Sequence, residues 1–426
     1  MTKKQLAKQF INFLKASPTP YHAVKTITEI LKDNKFQELK EGDSWQLKQK
    51  KRYFVIRGDS SIIAFNLGAN PNGFQIAGAH TDSPTLKIKA NPDKTFSNYL
   101  SLLVEPYGSA ILPTWYDRDL SIAGRVSYLY GAKKLGKCLV DFKKPIAVIP
   151  NLAIHLNRKV NEGIPINKQS DLCPLVSLDS RSKTPDFQQL LLKEITSYTP
   201  KPKEILDYDL QLYDTQSPGF VGYHQEFIAG QRLDNLLSCF ASLQALLETT
   251  VSKSCMVVFN DHEEVGSSSE VGAAGTFLQS VLERVCDSNS TYRQTIANSL
   301  LISADNAHGV HPNFISKHDE NHRPILNQGP VIKINANQRY ASNSETSAYF
   351  RFVCKNTGIP VQTFINRSDM ACGSTIGPIT ATALGIKTLD IGAATFAMHS
   401  IRETCGTDDI YYMTEAIKAV FNNPLP

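Results

Sequence analysis

Four short apolar segments of this chain each stop just ahead of a residue able to hold a cation, and few folds accommodate that pattern. Residues 74–79 run into His80 and Asp82, 256–259 run toward Glu263 and Glu264, 300–303 run into Asp305, and 389–392 lead through a loop to His399. Open α/β sheets gather ligands in this way, outside the carboxyl ends of their strands. The adjacent carboxylates Glu263 and Glu264 repel, so a buried pair needs a cation, a proton or solvent beside it. Neighbouring residues on extended backbone point in different directions, which lets one bind a metal while the other reaches a water. Taken singly, each residue has a plainer reading. Glu263 and Glu264 could form a solvated turn, His80 could be a satisfied histidine, and Asp234, just ahead of a helix expected from Asn235, could be a cap. Asp305 could cap the following turn and His399 could bond a neighbouring carbonyl. Their joint occurrence at strand ends favours the metal reading.

At 426 residues, two domains or one domain with a large insertion are expected. From about residue 89 to 222 the texture is short and β-rich, with segments at 99–104, 120–129, 137–140 and 146–156. Beyond 227, helical stretches at 235–247, 276–285 and 347–356 alternate with buried-type strands at 256–259, 299–303 and 388–391. The fold class expected is α/β, a three-layer sandwich around a mixed, largely parallel sheet, built from residues 1–90 and 223–426 with a β-rich domain inserted at 91–222. Leu6, Phe10, Ile11 and Leu14 share one face of an N-terminal helix, which lacks the apolar core of a signal peptide. No run approaches the roughly 20 apolar residues that cross a bilayer. Eight scattered cysteines include no Cys-x-x-Cys pair. A cytoplasmic protein without membrane association is expected. The net charge of +5 is spread along the chain, the densest run being 48–52, and supports no nucleic-acid surface.

Imidazole and carboxylate without thiolate suit zinc, with cobalt or manganese as alternatives. Two zinc ions would be balanced by Asp234, Glu264, Asp305 and a bridging hydroxide, leaving Glu263 to take and return protons. Asp82, two residues after His80, suits the imidazole's other N–H and would fix its tautomer.

Longer motifs surround these residues: Ser17-Pro-Thr-Pro-Tyr-His-Ala-Val24, Ala79-His-Thr-Asp-Ser-Pro84, Ile149-Pro-Asn-Leu-Ala-Ile-His155, Arg232-Leu-Asp-Asn235, His262-Glu-Glu-Val-Gly-Ser267, Cys372-Gly-Ser-Thr-Ile-Gly-Pro378 and Met398-His-Ser-Ile-Arg-Glu403. Together, and nearly end to end, the chain resembles the aspartyl aminopeptidase family of zinc metallopeptidases in its bacterial form. The resemblance implies one metal held by His80, a second completed by His399, and Asp234 bridging both, with Glu264 and Asp305 each completing one shell. It implies Glu263 as general base, Asp82 as the orienting residue, and peptides with N-terminal Asp or Glu as substrates. It also implies that the inserted domain makes dimers, which assemble into a dodecamer. Lys333, on the apolar strand 329–334, is the candidate cation for an acidic substrate side chain; a solvated strand face is the plainer reading. The resemblance suggests that His155 reaches an active site, the partner subunit's, the alternative being an interface histidine. His308 is expected to line the pocket beside Asp305, because Pro312 stops the helix that would pair it with His311. A broad-specificity di-metal aminopeptidase or deacylase is the competing enzyme reading. A catalytically silent assembly or cargo-binding scaffold is the competing class, opposed by the intact Glu263.

Overall fold

The computed structural model describes residues 1–69, 72–163, 165–178, 186–286 and 288–423. The chain divides into two compact units, one made of Met1–Ser83, Pro218–Met398 and the stretch from Glu403, the other of Pro84–Ser217 with His399–Arg402.

The first unit is built on a mixed sheet of nine strands among the described residues. Its centre is parallel: Cys255–Asn260, Gln75–His80, Leu300–Ala304 and Lys387–Gly392 lie side by side in that order. Antiparallel neighbours flank this core, Ser61–Leu67 on one side and Val331–Ile334 on the other. The central strands are buried along almost their whole length, because a parallel sheet covered on both faces leaves no side for water.

Alternation along each strand sorts the side chains into two cores. Ala77, Val257 and Ile302 face one way and pack with helices Lys3–Ala16, Pro20–Asp33, Leu233–Glu248 and Asp409–Asn422. Ile76, Met256 and Leu301 face the other way and pack with Phe277, Leu278, Val281 and Leu282 of helix Phe277–Val285. Helices therefore cover both faces, giving an α/β sandwich of three layers. The N-terminal helix docks through Leu6, Phe10, Ile11 and Leu14, and its first turn is closed by a capping box between Thr2 and Gln5. A smaller sheet orders Gly219–Val221, Phe227–Gly230, Glu403–Gly406, Ala394–Phe396 and Ala307–His308, and so fixes the chain just ahead of Asp234 and just past Asp305.

The second unit carries an antiparallel sheet of six described strands, in the order Lys134–Asp141, Leu120–Tyr130, Glu204–Asp214, Thr85–Phe96, Tyr99–Tyr107 and Leu175–Leu178. Trp115, Leu120, Leu210 and Leu212 pack there with Phe187 and Leu191 of helix Phe187–Glu194. The segment 146–156, read as strand-like in the sequence, makes only isolated bridges at Ala147 and Val148. Pro150 has no N–H to give a ladder, and the chain turns through Ala153 to Leu156 with Leu152, Ile154 and Leu156 exposed.

Candidate metal centre

The central parallel strands deliver their ends to one place. Gln75–His80 terminates in His80, Leu300–Ala304 hands over to Asp305, and Cys255–Asn260 leads into a short 3-10 turn beginning at Glu263. Asp234 arrives from the start of helix Leu233–Glu248, where it and Asn235 depart from helical dihedrals and the peptide between them is cis.

His80, 1% exposed, stands at the middle. Its Nδ1 lies 3.0 Å from the Asp82 backbone oxygen and 3.3 Å from Asp82 Oδ1. A carbonyl only accepts, so Nδ1 carries the hydrogen and the neutral ring presents the lone pair of Nε2. That nitrogen faces Asp234 Oδ1 at 3.4 Å, Asp305 Oδ1 at 3.6 Å and Glu263 Oε2 at 4.0 Å. A lone pair turned on three carboxylates is repulsive unless a positive charge lies between them. Burial pulls the His80 pKa down, but Asp234, Asp305 and Asp82 outweigh it and raise it well above the ordinary value.

Asp82 does more than orient His80. Its Oδ1 accepts the Glu263 N–H and its Oδ2 the Glu264 N–H, both at 3.1 Å, so one buried carboxylate aligns the imidazole and the turn carrying both glutamates. Burial first, and then the charges of Asp305, Asp82 and Asp234, push the Glu263 carboxyl up to about 7 against the pull of His80. Ligand atoms of His80, Glu263 and Glu264, and likewise of His80, Asp234 and Asp305, lie within 4.8 Å of one another. This donor set of one imidazole and several carboxylates, crowded enough to hold protons it would otherwise lose, fits a divalent cation of the zinc type.

Lys333 is 2% exposed, so the solvated-face reading fails. Its Nζ lies 3.3 Å from Asp305 Oδ2, 3.2 Å from the Asn306 carbonyl and 5.1 Å from the Tyr340 ring centroid. His308 follows on the strand Ala307–His308, its ring 5.6 Å from that of Phe364. It is exposed in area yet hemmed in by protein atoms; desolvation and then Lys333 lower its pKa, opposed by Asp234 and Asp305. His399 belongs to the second unit, where its Nδ1 donates to the Ser109 carbonyl at 3.1 Å with the backbone in the left-handed region. That bond leaves Nε2 as the nitrogen able to ligate. His155 is in the second unit too, exposed in the 153–156 turn.

Several supporting contacts have no sequence signal beyond the motifs that contain them. Ser83 Oγ donates to the Asp234 carbonyl at 2.6 Å, and Glu403 Oε2 accepts the Asp234 N–H at 3.0 Å. Asn235 Nδ2 reaches the Ala304 carbonyl at 2.8 Å, and the Cys239 thiol donates to the His80 carbonyl at 3.1 Å.

The chain matches the family described as aminopeptidase I zinc metalloprotease (M18) over residues 13–421. A probable M18 family aminopeptidase 2 of Ectopseudomonas mendocina is 51% identical over 426 residues, 99% of each chain. Its counterpart in Pseudomonas aeruginosa is 51% identical over 423 residues, 98% of each. Among solved structures, a chain of the cryo-EM structure of the Ape4 and Nbr1 complex aligns with a TM-score of 0.95 at 38% identity, covering 99% of this chain and 86% of that one. The S. cerevisiae mApe1 dodecamer aligns with a TM-score of 0.85 at 29% identity, covering 99% and 97%. This chain therefore belongs to the M18 family of zinc metallopeptidases and is an aminopeptidase.

Proposed function

We propose that the protein is a di-zinc aminopeptidase that removes acidic residues, Asp or Glu, from the N-termini of peptides in the cytoplasm. His80, Asp234, Glu264, Asp305 and His399 are the ligands in this reading, with cobalt or manganese able to replace zinc. The observation that carries it is the His80 Nε2 lone pair, aimed at Asp234, Asp305 and Glu263 from 3.4 to 4.0 Å.

Bound zinc supplies Lewis acidity that lowers the pKa of water and polarises a peptide carbonyl. Glu263, whose Oε2 lies 4.0 Å from His80 Nε2 at the edge of the cluster, is suited to take a proton from the attacking water and return it to the leaving amine. Asp82 keeps that carboxylate in register by holding the Glu263 and Glu264 amides. The preference for an acidic side chain is assigned to Lys333, a buried ammonium beside Asp305, with His308 on the same approach.

The assembly proposed is a homo-oligomer of dimers, closing as a dodecamer. It is supported by the dodecameric mApe1 structure and by exposed apolar residues on the second unit, among them Phe96, Leu135, Leu152, Leu156 and Leu178. His155, on the exposed turn between Leu152 and Leu156, is assigned to the partner subunit's substrate end.

Metal analysis joined to hydrolysis of Asp-, Glu- and Leu-terminal substrates tests the reading. Two zinc per chain, acid-selective cleavage abolished by a chelator, and selectivity lost in Lys333→Ala are expected. One zinc per chain removes the paired centre, and an unchanged preference in Lys333→Ala removes that residue from recognition.

A further inference from the structure

Glu403 is a buried acid, 2% exposed, that no step above uses. It opens the strand Glu403–Gly406 and pairs in register with Gly230, four residues before Asp234. Its Oε2 accepts the Asp234 N–H at 3.0 Å, while Ser83 Oγ donates to the Asp234 carbonyl at 2.6 Å. Both peptide groups flanking the Asp234 Cα are thus tied to buried side chains from separate parts of the first unit. Fixing those groups fixes φ and ψ, and with them the direction of the Cα–Cβ bond, so only side-chain torsions remain to aim the carboxylate.

We infer that Glu403 is a positioning residue for zinc binding: by holding the Asp234 amide, with Ser83 holding its carbonyl, it presets the Asp234 carboxylate for the metal. The inference rests on Asp234 being a ligand. A simpler role is available, since Glu403 also satisfies a backbone donor at the irregular start of helix Leu233–Glu248 and could serve stability alone. The two roles differ in what they do to metal affinity. Placing the Asp234 carboxylate requires an acceptor at the Glu403 position, not a charge there.

The test titrates zinc into the full-length apo-protein against a chromogenic chelator, with thermal unfolding of each apo-variant alongside. Glu403→Ala is expected to weaken zinc binding by about 10–100-fold, the range usual for removing a partner that orients a ligand. Glu403→Gln, whose amide oxygen still accepts, should stay within about threefold of wild type, the rescue that positioning demands. Wild-type zinc affinity in Glu403→Ala, even with a lower unfolding temperature, overturns the inference in favour of a stability role. Equal loss in Glu403→Gln and Glu403→Ala overturns it in favour of charge. Should Glu403→Ala not fold, Ser83→Ala takes its place: weakening on the order of tenfold supports the clamp, and wild-type affinity overturns it. Asp234→Asn separates this inference from the reading beneath it. Unchanged zinc binding there removes Asp234 as a ligand altogether, whereas loss there with wild-type binding in Glu403→Ala removes only the clamp.

Discussion

At the scale of single residues, the centre works by putting charges where water cannot relieve them. Glu263 illustrates this, since burial and the neighbouring acids Asp305, Asp82 and Asp234 lift its carboxyl to about 7. Glu263→Gln should keep its zinc, measured by elemental analysis, while turnover falls by about 100- to 10,000-fold, the span typical of a lost general base. A variant with near-normal turnover would exclude Glu263 from proton transfer. His80, Glu263, Glu264, Asp305 and His399 stood out as candidates in the sequence because apolar segments lead to them, whereas Asp234 was marked only by the helix expected to follow it. The side chains that hold them were not legible: Glu403 and Asp234 are 169 residues apart, and no local pattern marks a contact of that span. Lys333 was legible as a cation on an apolar strand, but its commitment to Asp305 and the Asn306 carbonyl needed the fold.

Secondary-structure elements place these residues through close backbone contact. Gly392, ending the strand Lys387–Gly392, passes so near the neighbouring chain that an added Cβ would stand 1.9 Å from the Asp305 carbonyl oxygen. Gly392→Ala must therefore displace Asp305 or its own strand, and lowered zinc affinity together with a lowered unfolding temperature is expected. Helix Asp409–Asn422 supplies a pH-dependent element. Asp409 is buried at its first position, accepts the Asn327 and Gly329 N–H groups, and is pushed up to about 7, chiefly by desolvation. A carboxyl raised on folding binds its proton more tightly in the native state. Its contribution is complete below the unfolded value near 3.8 and is lost as pH rises through 7. Relative to Asp409→Asn, wild-type stability in urea should accordingly decline between about pH 4 and 7; a flat difference would exclude Asp409 as its source. The elements most legible in the sequence were the parallel core strands, whose burial on both faces makes them continuous apolar runs. Segment 146–156 misled because its apolar residues suggest a strand, whereas Ala147 and Ile149 are buried without a ladder and Pro150 and the following turn leave Leu152, Ile154 and Leu156 exposed.

For the molecule as a whole, that exposure has a use if copies of the chain meet there. Replacing Leu152 and Leu156 together by Asp should shift the protein toward smaller species in analytical ultracentrifugation while leaving its far-UV dichroism unchanged. An unaltered sedimentation profile would place the contact elsewhere. The division of the chain carries one more lesson. Residues 399–402 lie between two stretches of the first unit, yet they pack with the second, and His399 takes its orientation from Ser109 there. The insertion is therefore no detachable module. An ancestor or an engineered miniature stripped of residues 84–217 would leave that histidine without its anchor, so the two parts of this protein have to be inherited, and redesigned, as one.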